Sequence, residues 1–287
     1  MPKANIGVIG GTGLYEMEGL TDIREVKPKT PFGEPSDSII IGTLDGIDVA
    51  FLPRHGRGHF VSPTEIPARA NIYALKSLGV EWIISVSAVG SLKESIHPLD
   101  LVIPDQLIDR TSNRVSSFFT GGIVAHVGFA RPFCPILSDI LYKAALEERA
   151  KVHPEGTYVI MEGPLFSTKA ESNLYRSWGA SIIGMTALPE AKLAREAEIC
   201  YATVGCVTDY DVWHETEEEV TVDIAISNLK LTSDISKRII RKAVRCIPDK
   251  RDCQCASALK NAILTDPALI PSATKKDLSL LIRKYIQ

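Results

Sequence analysis

No apolar stretch in this 287-residue chain is long enough to cross a bilayer, and neither sign of charge prevails: 32 Lys and Arg stand against 35 Asp and Glu, a formal net charge of −3. The first absence argues against a membrane partner. The second removes the basic face that nucleic acid demands, which leaves a small soluble molecule as the expected ligand. Met1 to Asn5 lead into a four-residue apolar run rather than the longer apolar core and small-residue cleavage site of a secretory signal, so a cytoplasmic location is expected. The glycine turn Gly10-Gly11-Thr12-Gly13 lacks the third glycine of a dinucleotide fingerprint, because Glu16 stands there, and no P-loop lysine follows. What remains is a turn whose N–H groups and one hydroxyl suit a single phosphate or sulfate. Six cysteines are present, but no second Cys pair or His cluster follows Cys253-Gln254-Cys255, so no metal is expected. Cys134, Cys200, Cys206 and Cys246 read as small buried residues. Disulfides stay open, and if Cys253 and Cys255 are oxidised, reductant lowers the melting temperature.

With 45% hydrophobic and 23% charged residues the chain can bury a sizeable core. Strand-like runs fall at 5–9, 38–44, 47–52, 81–87, 157–161, 181–184 and 200–207. Helical periods fall at 64–78, 135–150, 169–177, 188–199 and 217–245, and this alternation predicts an α/β fold with a central mixed or mainly parallel sheet flanked by helices. Residues 104–134 break the pattern and read as a long irregular segment. After Ile247 the composition turns polar, then closes with Leu278, Leu281, Ile282 and Tyr285 at helical spacing.

Four of the apolar runs end in clusters of small or titratable residues: Gly10 to Gly13, Arg54-His55-Gly56, Ser87-Ala88-Val89-Gly90 and Thr208-Asp209-Tyr210-Asp211. Ligands of open α/β sheets bind outside the carboxyl ends of strands, so these clusters are the candidates for chemistry. The planar fork of Arg54 matches phosphate. Asp209 and Asp211, two apart in an extended segment, would face one ligand, while an Asx turn or helix N-cap is the other reading of Asp211. Burial at a strand end would raise the Asp209 pKa and let its carboxyl donate or share a proton with a ligand.

Together with Thr-Pro-Phe-Gly at 30–33, Pro-Arg-His-Gly at 53–56, Ala-Asn-Ile-Tyr-Ala-Leu-Lys at 70–76, Glu-Gly-Pro-Leu-Phe-Ser at 162–167 and Met-Thr at 185–186, these clusters make the chain, from Ile6 to Val244, resemble the 5′-methylthioadenosine phosphorylases of the trimeric purine nucleoside phosphorylase family. The resemblance implies a single nucleoside phosphorylase-like domain over 1–245 and a C-terminal appendage over 246–287. It implies a phosphate site of Thr12, Arg54, His55, Ser87, Ala88 and Thr186, where the family commonly has Thr in place of Ser87. Met185 would pack under the ribose and Phe166 beside the base, while Ser167, Asp209 and Asp211 would read adenine. Asp209, Arg54 and His55 would carry the catalysis. His126 resembles a residue reaching into a neighbouring subunit's 5′ pocket, and Val222 stands where enzymes for 6-oxopurine nucleosides carry histidine. A homo-oligomer, trimer or dimer of trimers, is implied, with inorganic phosphate as co-substrate and no cofactor. The implied reaction is phosphorolysis of S-methyl-5′-thioadenosine, a step of purine and methionine salvage. A broader purine nucleoside phosphorylase and a catalytically silent nucleoside-binding module remain the other readings; a nicotinamide oxidoreductase would leave Arg54, Asp209 and Asp211 unexplained.

Overall fold

A computed structural model describes residues 3–11, 14, 17–214 and 222–286, the side chains of 222–225 excepted. In chain order its elements are β1 (Ile6–Gly10), β2 (Leu20–Val26), β3 (Ile39–Leu44), β4 (Ile47–Pro53), α1 (Ala68–Ser77), β5 (Trp82–Ser91), β6 (Leu101–Val102), β7 (Gln106–Arg110), α2 (Pro135–Glu147), β8 (Val152–His153), β9 (Thr157–Met161), α3 (Lys169–Ser177), β10 (Ile182–Gly184), α4 (Ala187–Glu196), β11 (Cys200–Asp209), α5 (Val222–Cys246), α6 (Ser272–Asp277) and α7 (Ser279–Ile282). Local chemistry sets several boundaries. Helix α1 begins after Pro67 rather than at residue 64, α2 starts with Pro135 at its first helical position, and α3 is opened by a capping box in which Thr168 and Glu171 satisfy each other's backbone N–H.

The strands form one mixed sheet in which β5 is the hub. It pairs in parallel with β1 and β11 and, near its end, antiparallel with β10. Strands β4 and β1 are also parallel, so β4, β1, β5 and β11 all end on one edge. Both faces are covered, and the period-2 alternation of strand side chains divides the core accordingly. Trp82, Ile84 and Val86 of β5 join Ala202 and Val204 of β11 in a cluster with α2 and α5, whereas Ile83 and Val89 join Tyr201 and Val207 in a cluster with α1 and α4. No helix among the described residues is long and apolar enough to cross a membrane.

Four strands lie outside the sequence expectation. β2 is mostly exposed and has no apolar run to announce it; it forms because β3 offers an antiparallel edge. β7 lies inside the segment expected to be irregular, and pairs in parallel with β9 from Gln106↔Thr157 to Arg110↔Met161. The two-residue strands β6 and β8 are too short to leave a pattern. The tail beyond residue 246 packs on the main core: Leu259, Ile270, Leu278, Leu281 and Ile282 are buried in the cluster that holds α1 and α4, and the Tyr73 hydroxyl donates to Asp277 O at 3.1 Å. Each such buried aliphatic side chain contributes about 1.5–3 kcal/mol.

Candidate active site

The edge where β4, β1, β5 and β11 end collects most of the candidate residues. Register brings two of them together across the sheet. Ile182 lies opposite Ser91 and Ile183 opposite Gly90, and continuing that antiparallel pairing sets Thr186 opposite Ser87. The two hydroxyls are 2.8 Å apart, with Ser87 buried and Ala88 exposed beside it. Thr12 lies outside the described residues; Gly10, the last residue of β1, accepts from Arg54 N at 2.9 Å.

Arg54 is 2% exposed and almost fully engaged. Its Nε donates to Glu190 Oε1 at 2.6 Å, Nη2 to Glu190 Oε2 at 3.2 Å and Ser85 Oγ at 2.7 Å, and Nη1 to Val86 O at 2.9 Å. A guanidinium has five N–H groups, so one, on Nη1, is left for a ligand. Burial opposes the charge on Arg54, but the Glu190 carboxylate outweighs it and holds the guanidinium firmly protonated. The Tyr201 hydroxyl also donates to Glu190, at 3.0 Å.

His55 Nδ1 lies 2.9 Å from Val61 O, and its ring stacks on His59 with centroids 4.3 Å apart. A carbonyl only accepts, so Nδ1 carries the proton and Nε2 presents a lone pair. Burial, helped by the neighbouring Arg54 charge, pushes its pKa down to about 4. Between pH 6.5 and 4 the unfolded chain therefore binds a proton that the folded chain refuses, and stability falls as pH falls through that window. A His55→Gln variant should show a flatter decline of melting temperature between those two pH values than the parent; parallel declines would remove this group from the acid response.

Asp209 and Asp211 meet through a turn and not through strand alternation. β11 ends at Asp209, Asp211 has a φ of +52°, and Asp209 Oδ1 accepts Asp211 N–H at 2.8 Å. The Asx turn weighed for Asp211 is thus made by Asp209. The Thr208 hydroxyl donates to Asp209 Oδ2 at 2.6 Å. Burial raises the Asp209 pKa against the pull of these two donors, and burial followed by the Asp209 charge raises that of Asp211. Asp211 Oδ2 is buried with no hydrogen bond among the described residues, and the neighbouring Ser172 and Ser167 hydroxyls partly offset the upward push of burial on its pKa. The site depends on Gly90: a Cβ there would stand 2.9 Å from Asp209 Oδ1 and 3.3 Å from Asp211 Cβ.

The nucleoside-side candidates follow β9 and β10. Ser167 Oγ lies 3.4 Å from Met161 Sδ, Phe166 is 41% exposed, and Met185 is half-buried against Gly163, which has a φ of +68° and where a Cβ would collide with the Met185 sulfur. His126 stands apart: its side chain is exposed and its N–H donates to Ala262 O of the tail at 2.9 Å. Val222 begins α5, and its side chain lies outside the described residues.

Sequence reasoning missed Glu190, Arg114 and Glu162. Buried Arg114 donates to the carbonyls of Met185, Leu188 and Glu162 and to Glu162 Oε1, and so fastens the loop after β10 to the loop after β9. Burial alone would raise the Glu162 carboxyl, yet the N–H groups of Ser112 and Asn113, the Thr64 hydroxyl and the Arg114 charge bring it down to about 2. Glu190 did leave a signal, a single carboxylate inside Ala187-Leu188-Pro189-Glu190-Ala191. A surface cavity of about 400 Å³ between Leu92, Glu94 and Ala180 contains none of the candidate residues.

One sheet edge thus carries an arginine with a pair of hydroxyls and, at the end of β11, two buried carboxyls. The chain belongs to the phosphorylase superfamily, whose sequence model matches residues 5–245. Within it, the chain is 59% identical over 282 residues to the S-methyl-5′-thioadenosine phosphorylase of Geobacter sulfurreducens, covering 98% of this chain and 99% of the relative. It is 56% identical to that of Thermosynechococcus vestitus, with 99% of each covered. A crystal structure of methylthioadenosine phosphorylase from an Antarctic soil metagenomic library superposes with a TM-score of 0.94 at 52% identity, over 98% of this chain and 99% of that one. The Schistosoma mansoni methylthioadenosine phosphorylase in complex with adenine gives 0.80 at 32%, over 98% of both chains. These alignments run through the tail as well as the domain.

Proposed function

We propose that the protein catalyses phosphorolysis of S-methyl-5′-thioadenosine, releasing adenine and 5-methylthioribose 1-phosphate. The observation that carries this reading is the pair of buried carboxyls at the end of β11, whose pKa values burial raises, placed on the same edge as the Ser87–Thr186 hydroxyl pair, in a chain at least 55% identical along its length to several enzymes of that name.

Phosphate would take the free N–H of Arg54, the hydroxyls of Ser87 and Thr186, the backbone at Ala88 and the Thr12 turn. Neutral His55 offers only an acceptor at Nε2, which suits the O–H of a monoprotonated phosphate. Held there, the anion stabilises an oxocarbenium-like ribosyl group as the glycosidic bond loosens, and attacks C1′. Asp209 hydrogen-bonds or protonates N7 of the leaving adenine, and the Asp211 Oδ2 acceptor takes a base N–H. Met185 supports the ribose, Phe166 flanks the base and Ser167 assists Asp211. No cofactor enters this scheme.

The assembly belongs to the same reading: a homotrimer, or a dimer of trimers, in which His126 and the apolar Val222 complete a neighbour's 5′ pocket. Exposed Phe60, Val115, Val124 and Leu165 supply apolar surface for it, and light scattering gives the mass directly. Six free thiols fit a reducing cytoplasm.

Adenine release from methylthioadenosine, measured with and without phosphate, tests the reaction, with adenosine and inosine alongside. Phosphate-dependent release favouring methylthioadenosine is expected; release without phosphate would mean a hydrolase, and binding without release a silent module. Ser87→Ala should raise KM for phosphate about 10- to 100-fold while KM for the nucleoside changes little, since a hydrogen bond to a charged group contributes about 1.5–3 kcal/mol. Equal effects on both constants would remove Ser87 from the phosphate site.

A further inference from the structure

The C-terminal Cys253-Gln254-Cys255 lacks a second cysteine pair after it, but the fold supplies one from before it. The Sγ atoms of Cys134, Cys200, Cys253 and Cys255 all lie within 4.8 Å of one another. Cys134, Cys200 and Cys255 are buried and Cys253 partly so, and the surrounding side chains belong to the apolar cluster of α2 and α5. All six cysteines of the chain are free thiols, and the Cys200–Cys253 sulfurs are 3.3 Å apart, well beyond a disulfide bond of about 2.05 Å.

We infer that these four cysteines form a structural binding site for one zinc ion, which staples the tail to the sheet. Tetrahedral zinc with four thiolates at about 2.3 Å requires sulfurs roughly 3.8 Å apart, and the cluster needs only small side-chain shifts to reach that spacing. The ligand-bearing backbone is already held. Cys134 N donates to Tyr201 O at 2.8 Å and Cys200 N to Glu81 O at 2.9 Å, while Arg251, just before the Cys-x-Cys, pairs with Glu81 at 3.0 Å.

Charge is compensated as well. Four thiolates around a dication leave an excess of negative charge. Cys134 is the N-cap of the 13-residue helix α2, whose first N–H groups favour a thiolate, and Arg195 is fixed on the Arg131 and Pro132 carbonyls immediately before it. Binding exchanges one proton per thiol for the metal, with no redox partner.

The site is separate from the chemistry. Cys200 begins β11 and Asp209 ends it, nine residues away, which at about 3.3 Å per residue is roughly 30 Å. Its role is to hold the tail, and the tail holds His126: Ala125 bridges Ile263, and Val124 exchanges hydrogen bonds with Leu264 and Thr265.

The test is metal analysis of full-length protein purified with reductant and without chelator, before and after reconstitution with zinc alone. About one zinc per chain is expected, and cobalt(II) in its place should give thiolate charge-transfer bands and the intense visible bands of a tetrahedral ion. Cys253→Ser and Cys255→Ser should lose the metal and melt several degrees lower, while Cys246→Ser, outside the cluster, keeps both. Substoichiometric zinc after reconstitution of reduced protein, an octahedral cobalt spectrum, or peptide mapping that finds these cysteines paired as disulfides in freshly isolated protein would each overturn the proposal. The wild-type measurements stand even if a variant fails to fold.

Discussion

Asp209→Asn should lower kcat/KM for methylthioadenosine by about 10²- to 10⁴-fold, the range ascribed to a positioned general acid. Burial raises the pKa of the wild-type carboxyl, which is held by the Thr208 hydroxyl and the Asp211 N–H, and this places a carboxyl of enhanced basicity where it can share a proton with N7 and accept from the 6-amino group. An amide of the same shape retains the Asx turn to Asp211 but cannot transfer a proton. It can donate to a 6-oxo group, however, so activity on inosine should rise as activity on methylthioadenosine falls. Unchanged kinetics on both nucleosides would sink this role for Asp209.

The second large effect concerns stability. Arg54 and Glu190 are each about 2% exposed and paired at 2.6 Å, so neither charge can turn to water when its partner is removed. Glu190→Leu should therefore cost about 3–5 kcal/mol, and Arg54→Met a similar amount. At a few degrees per kcal/mol for a chain of this size, that is a drop of roughly 10 °C in melting temperature. Combining both substitutions removes the unpaired charge and should restore most of the loss, because an apolar pair of similar volume is often as stable as the ion pair it replaces. What the double variant should not restore is affinity for phosphate. Recovery of KM for phosphate together with stability would show Arg54 to be only a structural ion; failure of the double variant to recover stability would place the cost elsewhere in the network of Ser85, Val86 and Tyr201.

How far the sequence could be read depended on how local each feature is. The long strands β1, β4, β5 and β11 announce themselves because burial on both faces leaves continuous apolar runs, and their terminal clusters follow because parallel strands share one ligand-binding edge. Helices α1 to α4 are legible from period, proline and caps. Strand β2, by contrast, is polar and exists through its partner, and β7 was hidden in an irregular stretch for the same reason: pairing energy comes from the neighbour. Glu190 and Arg114 were missed because a buried charge is decided by the opposite charge or the carbonyls that meet it, here 136 residues away for Glu190 and at least 47 for Arg114.

By itself, then, the chain determined its α/β class, its principal elements and the residue types gathered at the strand ends, since these follow from side-chain period and from chemistry within a few neighbouring residues. Tertiary structure alone decided which of those ends meet. It set Thr186 against Ser87 through an antiparallel register, turned the fork of Arg54 onto Glu190, bent Asp211 back onto Asp209, and carried Cys134 and Cys200 to a tail more than fifty residues further on. The physical reason is common to all four: the free energy of each contact belongs to two segments distant in sequence, and only the closing of the sheet and the packing of its faces brings them within reach.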